Sequence, residues 1–139
     1  MTILDTDVLS ALMQQAPDQK IVAWLDQQAR TSVWTTSVTV LEIRFGLQIL
    51  EAGRRQSALM RAFDGVLEAI SYRIASFDVA AAERAGDLMA LRQKRGRGGD
   101  LRDTMIAGIV VANHATLATH NTAHFSDFDV PVIDPLESS

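Results

Sequence analysis

Cysteine is absent from this chain, so neither a disulfide framework nor a thiolate metal site can be built. Histidine is scarce, with three in 139 residues, which leaves little material for an imidazole-rich metal centre. No apolar run approaches the roughly 18 residues needed to cross a bilayer. The longest, around MIAGIVVA, has the length of a buried helix or strand. The first residues show no basic stretch followed by an apolar core, so a secretory leader is not expected and a cytoplasmic location fits. An excess of positive charge is missing as well: 13 basic residues stand against 17 acidic ones, for a net charge of −4. Proteins that coat DNA take their affinity from a large basic face, and that class is disfavoured. A nuclease is not excluded, because carboxylates gathered at a metal site themselves lower the net charge.

What is present is an ordinary globular composition, 47% hydrophobic and 22% charged, in a chain long enough for one domain spanning residues 1–139. TILD reads as a short buried strand, and DTDVLSALMQ starts a helix with Asp5 or Thr6 as its cap. QKIVAWLDQQ has helical spacing, SVWTTS is a β-branched strand, and VTVLEIRFGLQIL and RRQSALMRAFDGVLEAI are helices. YRIASFD is a third strand, and VAAAERAGDLMALRQKR is an alanine-rich helix running into the loop RGRGG. LRDTMIAGIVVANH is a further helix, ATLAT a fourth strand and VPVID a fifth. Strands alternating with helices imply a parallel sheet covered on both faces, a three-layer α/β architecture.

Three acids stand where acids are unusual. In an open parallel sheet ligands bind beyond the carboxyl ends of the strands, and Asp5 lies at that end of the first one. It also suits a helix cap. Glu42 has Val38 and Phe45 as its i−4 and i+3 neighbours, which sets it on or beside a core-facing stripe. Asp103 heads an apolar stripe of Ile106, Ala107 and Val110. Each acid is explained either by a local salt bridge, with Arg44 or Arg102 recruited, or by convergence on a cation. Converging carboxylates repel by several kcal/mol at an effective dielectric of about 20, and a divalent ion removes that cost. Oxygen-only donors favour Mg²⁺ or Mn²⁺ over Zn²⁺.

LDTDVLS, TSVTVLEIRFGL, the Asp of RDTMIAGIV and LATHNTAHF resemble, in that order and over almost the whole chain, the PIN-domain ribonucleases. Within that family the chain is most similar to the toxin subunits of VapBC-type and FitAB-like toxin–antitoxin pairs. The resemblance implies an α/β/α domain with a short, mainly parallel sheet of four or five strands flanked by helices. It also implies metal-dependent hydrolysis of RNA. Carried over, Asp5, Glu42 and Asp103 match three members of an acidic quartet that holds Mg²⁺ or Mn²⁺. Asn121, in the stretch Thr119-His120-Asn121, takes the fourth catalytic place, where Asp is commoner in the family. Asp7 stands where the family usually has Asn. Thr6, Asp7, Asp100 and Thr119 would surround the ligands, with Asp100 either compensating for Asn121 or only capping its helix. In this scheme a metal-bound water attacks the scissile phosphate, Glu42 orients or deprotonates it, and no side-chain nucleophile is needed.

The run RQKRGRGG precedes Asp103, so Lys94, Arg95, Arg97 and Arg102 are candidates for RNA phosphates; a solvated helix end explains the same run equally well. Arg54 and Arg55 open a helix, where the dipole disfavours them, and so suit a partner or substrate contact. His120 and His124 are four apart but lack a third matching ligand, and read as surface or loop residues. Trp24, Leu25, Phe63 and Leu67 read as packing. Family toxins associate with one another and bind an antitoxin segment in a groove near the site. The apolar helices from 37 to 70 suit both the groove and a homodimer or dimer-based hetero-oligomer. The partners implied are thus a cognate VapB- or FitA-like antitoxin and RNA, with no membrane. Two rivals remain: a haloacid dehalogenase-like phosphatase using DTD as nucleophile and acid, and a catalytically silent PIN-like binding domain.

Overall fold

The computed structural model describes residues 1–137. Five short strands make one all-parallel sheet: β1 (Thr2–Leu4), β2 (Val33–Thr36), β3 (Ile74–Ala75), β4 (Thr116–Ala118) and β5 (Val132–Ile133), in the order β3-β2-β1-β4-β5. Six helices connect them: α1 (Thr6–Leu12), α2 (Gln19–Asp26), α3 (Ser37–Gln48), α4 (Arg54–Ala69), α5 (Val79–Lys94) and α6 (Leu101–Ala112). This is the expected three-layer arrangement.

Successive strand residues point to opposite faces, and that alternation divides the core. Leu4 and Ala118 join Val8, Leu9, Trp24, Phe63 and Leu67 under α1, α2 and α4. Ile3 and Leu117 join Ile106, Ile109, Val110 and Phe125 under α5 and α6. Helix α3 serves both faces, with Ile43 and Leu47 in the first core and Val38 in the second. Trp24, Phe63, Leu67 and the partly buried Leu25 therefore pack as expected.

Three local features differ from expectation. Strand β3 has two residues, not seven. Ser71 and Tyr72 before it are left-handed (φ 54° and 53°), Ser37 Oγ accepts from Phe77 N–H at 2.9 Å just past it, and Asp78 then caps α5. A 3-10 turn covers Thr122–Phe125, where no element was expected. Phe45 belongs to no core: it is 60% exposed and, with Leu41 and Ile49 one turn to either side, forms an apolar stripe on the outside of α3. Glu42 thus borders the core along Val38 and Ile43, not along Phe45.

The alanines of α5 have a steric purpose. A Cβ on Gly108 of α6 would stand 2.6 Å from the Ala81 carbonyl oxygen and 2.8 Å from the Ala85 Cβ, so α5 and α6 touch almost backbone to backbone. We expect Gly108→Val to cost about 1–3 kcal/mol through overpacking. Gly65→Ala on α4, where a Cβ meets nothing within 4 Å, should stabilise by about 0.5–1 kcal/mol. Thermal unfolding followed by circular dichroism checks both.

Candidate active site at the carboxyl edge of the sheet

The chain runs outward from β1 through β2 to β3, then returns to pair β4 with the other side of β1. Between the carboxyl ends of β1 and β4 the neighbouring connections diverge, and such a switch point opens a crevice. Asp5 follows β1, and Thr119 to Asn121 follow β4. The Asp5 N–H donates to Ala118 O at 3.0 Å, which joins the two strand ends.

Asp5 caps α1, its Oδ1 accepting the Val8 N–H at 2.8 Å, so one reading of this residue as a cap is correct. Capping does not account for its environment. It is 4% exposed and belongs to no ion pair among the described residues. Burial pushes its pKa up to about 6, and the charge of Asp7 adds to the rise. A hydrogen bond with the Thr119 side chain, the Val8 N–H and the charge of His120 oppose it.

Glu42 is held by a line of hydroxyls. The Thr6 hydroxyl donates to Glu42 Oε1 at 2.7 Å and lies 3.1 Å from Thr39 Oγ1. Thr36 Oγ1 accepts the Thr39 N–H at 3.0 Å and donates to Thr39 Oγ1 at 3.2 Å. Each hydroxyl has one proton, so the direction is fixed: Thr36 to Thr39, Thr39 to Thr6, Thr6 to the carboxylate. Thr36 and Thr39 are fully buried and escaped the sequence reading. Their signal was the polar end of TTSVT, where a buried strand becomes a buried helix. Arg102 Nε lies 3.7 Å from Glu42 Oε2 and 3.8 Å from Asp100 Oδ1, half-exposed between them. Of the salt bridges weighed for the three acids, this is the one that forms.

Asp103 is part-buried. Burial raises its pKa first, then Asp100, with Glu42 and Asp7 adding, while His124 opposes. His124 Nδ1 is 3.5 Å from Asp103 Oδ2, brought there by the 3-10 turn. The Nδ1 of His120 is buried and has no hydrogen-bond partner among the described residues. The two histidines therefore border the acids, His120 from the loop after β4 and His124 as an exposed side chain of the 3-10 turn, in keeping with their reading as surface or loop residues. Asp100 caps α6, accepting from the Arg102 and Asp103 amides at 2.7 and 3.4 Å. The Asn121 amide donates to Asp7, and its N–H donates to Thr119 Oγ1 at 3.0 Å. Lys94 ends α5, Arg95 caps it, and Arg97 pairs with Asp127. All three are exposed.

Asp7 thus acts on both Asp5 and Asp103, and Asp100 and Glu42 act on Asp103 as well. Among the described residues no three acids or histidines close into a preformed cage. A hard divalent cation nevertheless suits the donors: they are carboxylate oxygens, burial and then neighbouring acids raise the pKa of Asp5 and of Asp103, and the most buried has no cation of its own.

The raised pKa of Asp5 has a definite sign for stability. Unfolded, Asp5 loses its proton near 3.8; folded, it keeps it to about 6. Stability without divalent ions therefore falls as pH rises from about 4 to about 6 and stays lower above, by about 3 kcal/mol for a shift of this size. Asn caps as well as Asp. Asp5→Asn should raise the melting temperature in EDTA at pH 8, and the gain should vanish near pH 4. Differential scanning calorimetry across pH reads both.

Residues 2–131 match the PIN domain family. The chain is 35% identical over 138 residues to a VapC ribonuclease of Sinorhizobium fredii, covering 99% of each, and 29% identical to toxin FitB of Neisseria gonorrhoeae, covering 97% of this chain and 98% of that one. Its fold superposes on FitAB bound to a DNA fragment with a TM-score of 0.88 at 28% identity, covering 100% of this chain and 98% of that one. With VapBC2 of Rickettsia felis the TM-score is 0.84 at 19% identity, over 96% and 97% of the two chains. A buried acid at a β1/β4 switch point is thus set in a fold that superposes on known toxin–antitoxin structures, and the family match spans nearly the whole chain: the chain belongs to the PIN-domain family.

Proposed function

We propose that the chain is a Mg²⁺- or Mn²⁺-dependent endoribonuclease, the toxin of a VapBC-type pair, restrained by a cognate antitoxin. The observation that carries this reading is Asp5: desolvated, without an ion-pair partner among the described residues, at the switch point, and within the field of Asp7, which also acts on Asp103. The relatives it resembles over their whole length are named as a ribonuclease and as a toxin.

Asp5, Glu42 and Asp103 would hold the ion, which supplies an acidified water and a positive charge for the scissile phosphate. The remaining chemistry belongs to the chain. The hydroxyl line fixes Glu42 Oε1, leaving Oε2 as the oxygen to take a proton from the attacking water. Thr119 hydrogen-bonds Asp5, and Asp100 sets the first turn of α6 so that Asp103 faces the cleft. Asn121 restrains Asp7 through its amide and keeps a carbonyl oxygen as the fourth donor. Lys94, Arg95, Arg97 and Arg102 give the RNA backbone its positive rim. The DTD sequence is accounted for without an aspartyl nucleophile, since the two lysines lie in the first turn of α2 and at the end of α5.

Two surfaces support the partners. A cavity of about 220 Å³ between α1, α3 and α4 is lined by Thr6 and Glu42 at one end and Leu59 at the other. One of about 750 Å³ shares Met13, Gln14 and Leu59 with it and adds Arg54 and Arg55. Together they form a groove leading to the acids, suited to an apolar antitoxin segment. The Leu41–Phe45–Ile49 stripe suits self-association.

Cleavage of single-stranded RNA should require Mn²⁺ or Mg²⁺ and stop in EDTA. Asp5→Asn and Asp103→Asn should lose more than the roughly 10–100-fold typical of an outer-sphere partner. A divalent ion that raises the melting temperature of a wild type unable to cut RNA would instead identify a silent domain. Phe45→Glu should convert a dimer to a monomer in light scattering; a wild type that is already monomeric at high concentration would refute the interface.

A further inference from the structure

Arg92 is placed as surface arginines are not. It lies in the last turn of α5, yet only 11% of its side chain is exposed. Its guanidinium stands 4.6 Å over the Phe128 ring, and Nη2 donates to Asp127 Oδ2 at 3.3 Å. Nε and Nη1 are buried without a hydrogen-bond partner among the described residues. Buried N–H groups of a cation left unpaired are costly, and such orphans call for an explanation.

Here those groups keep a full positive charge at the wall of a cavity. Arg92 lines a cavity of about 410 Å³, within the range of small-molecule pockets. The loop after α5 turns back at Gly96, left-handed at φ 69°, and Gly99 lies so close that any Cβ there would strike the Arg92 guanidinium. The glycines thus let backbone close over the arginine. Arg97 and Gln93 add polar lining, and Met89 and Leu101 add apolar walls about half-exposed to water. Two guanidiniums against the single carboxylate of Asp127 leave one surplus positive charge. Thr104 also lines the cavity, and its neighbour Asp103 faces the acids. Cavity and cleft therefore flank the same turn of α6.

We propose that this cavity is a nucleotide subsite, distinct from the acidic cleft, that binds one unit of a single-stranded RNA. Its phosphate takes the exposed guanidinium of Arg97 and the surplus positive charge that Arg92 and Arg97 hold over Asp127, and its base lies against Met89 and Leu101. Naming RNA rests on the nuclease reading; the anion-plus-flat-ring chemistry rests on the cavity itself. An Arg–phosphate fork is directional, so the subsite fixes where along the strand the cleft falls.

The test is metal-free binding of a fluorescent, 5′-phosphorylated hexaribonucleotide, followed by anisotropy in EDTA. Gln93→Glu puts a negative charge at the cavity on an exposed side chain that does not endanger folding, and Leu101→Ser removes an apolar wall. Each should raise Kd at least about fivefold with an unchanged melting temperature. Gln27→Glu, the same charge change on α2, should leave Kd alone. Equal weakening by Gln27→Glu, or none by Gln93→Glu, overturns the subsite. RNA cleavage by wild type with Mn²⁺ is scored separately. Cleavage with Gln93-independent binding removes the subsite and spares the nuclease reading; Gln93-dependent binding without cleavage does the reverse.

Discussion

A carboxylate held out of water without a cation beside it is a standing expense in any fold, and here the arrangement around Asp5 is built to tolerate it. The Val8 amide and the Thr119 side chain give it hydrogen bonds, and His120 gives it a favourable field. None of these neutralises it, and burial still dominates. Since the residue sits at the meeting of β1 and β4, the strain cannot be relieved by turning outward: its backbone N–H is committed to Ala118 and its side chain to the start of α1. The surrounding acids then have to be restrained in turn. Glu42 is pinned by Thr6 and faced by Arg102, Asp7 by Asn121, and Asp103 by His124. Each clamp belongs to a different segment of chain, so the local charge problem ties together α1, α3, α6 and the turn after β4.

The same tension sets stability against the negative charge kept at this edge. A site that relaxed its acids with arginines would be more stable and would have no use for a cation. Arg102 goes part of the way, but at 3.7 Å and half-exposed it screens Glu42 weakly and leaves Asp5 untouched. The hydroxyl line does something an arginine cannot. It fixes a carboxylate in place with neutral donors, so the geometry is rigid while the negative charge is kept.

The elements were legible because they follow from periodicity, and the three acids because of where each stands in that pattern. Asp103 interrupts an apolar stripe that continues through Ile106, Ala107 and Val110, and those three are fully or almost fully buried. Asp5 was marked by its place after a buried strand. Glu42 was reached through a partly mistaken premise: Phe45, counted with the core, faces outward, and Val38 and Ile43 alone give the residue its half-buried setting. Apolar periodicity cannot separate a core face from a face awaiting a partner, and α3 carries both. What stayed hidden depends on long-range approach. The Thr36–Thr39–Thr6 line joins residues 33 apart, His124 reaches Asp103 only through an unforeseen 3-10 turn, and Arg92 looked like one more cation in a basic run.

Helix α6 shows why these pieces form one working edge and not two. Its Gly108 seats it against Ala81 and Ala85 of α5, its buried face closes the second core, and its first turn divides the acids from the Arg92 cavity. A displacement of α6 relative to α5 would move Asp103 and the cavity wall together, because Asp103 and Thr104 are consecutive and Arg92 belongs to α5. The near backbone contact at Gly108 makes that displacement sterically expensive in one direction, since the Ala81 carbonyl is already in the way. Small residues far from the cleft thus set the distance between the acids and the basic loop. The alanine-rich composition of α5, which reads as helix propensity alone, is a constraint on the geometry of the site.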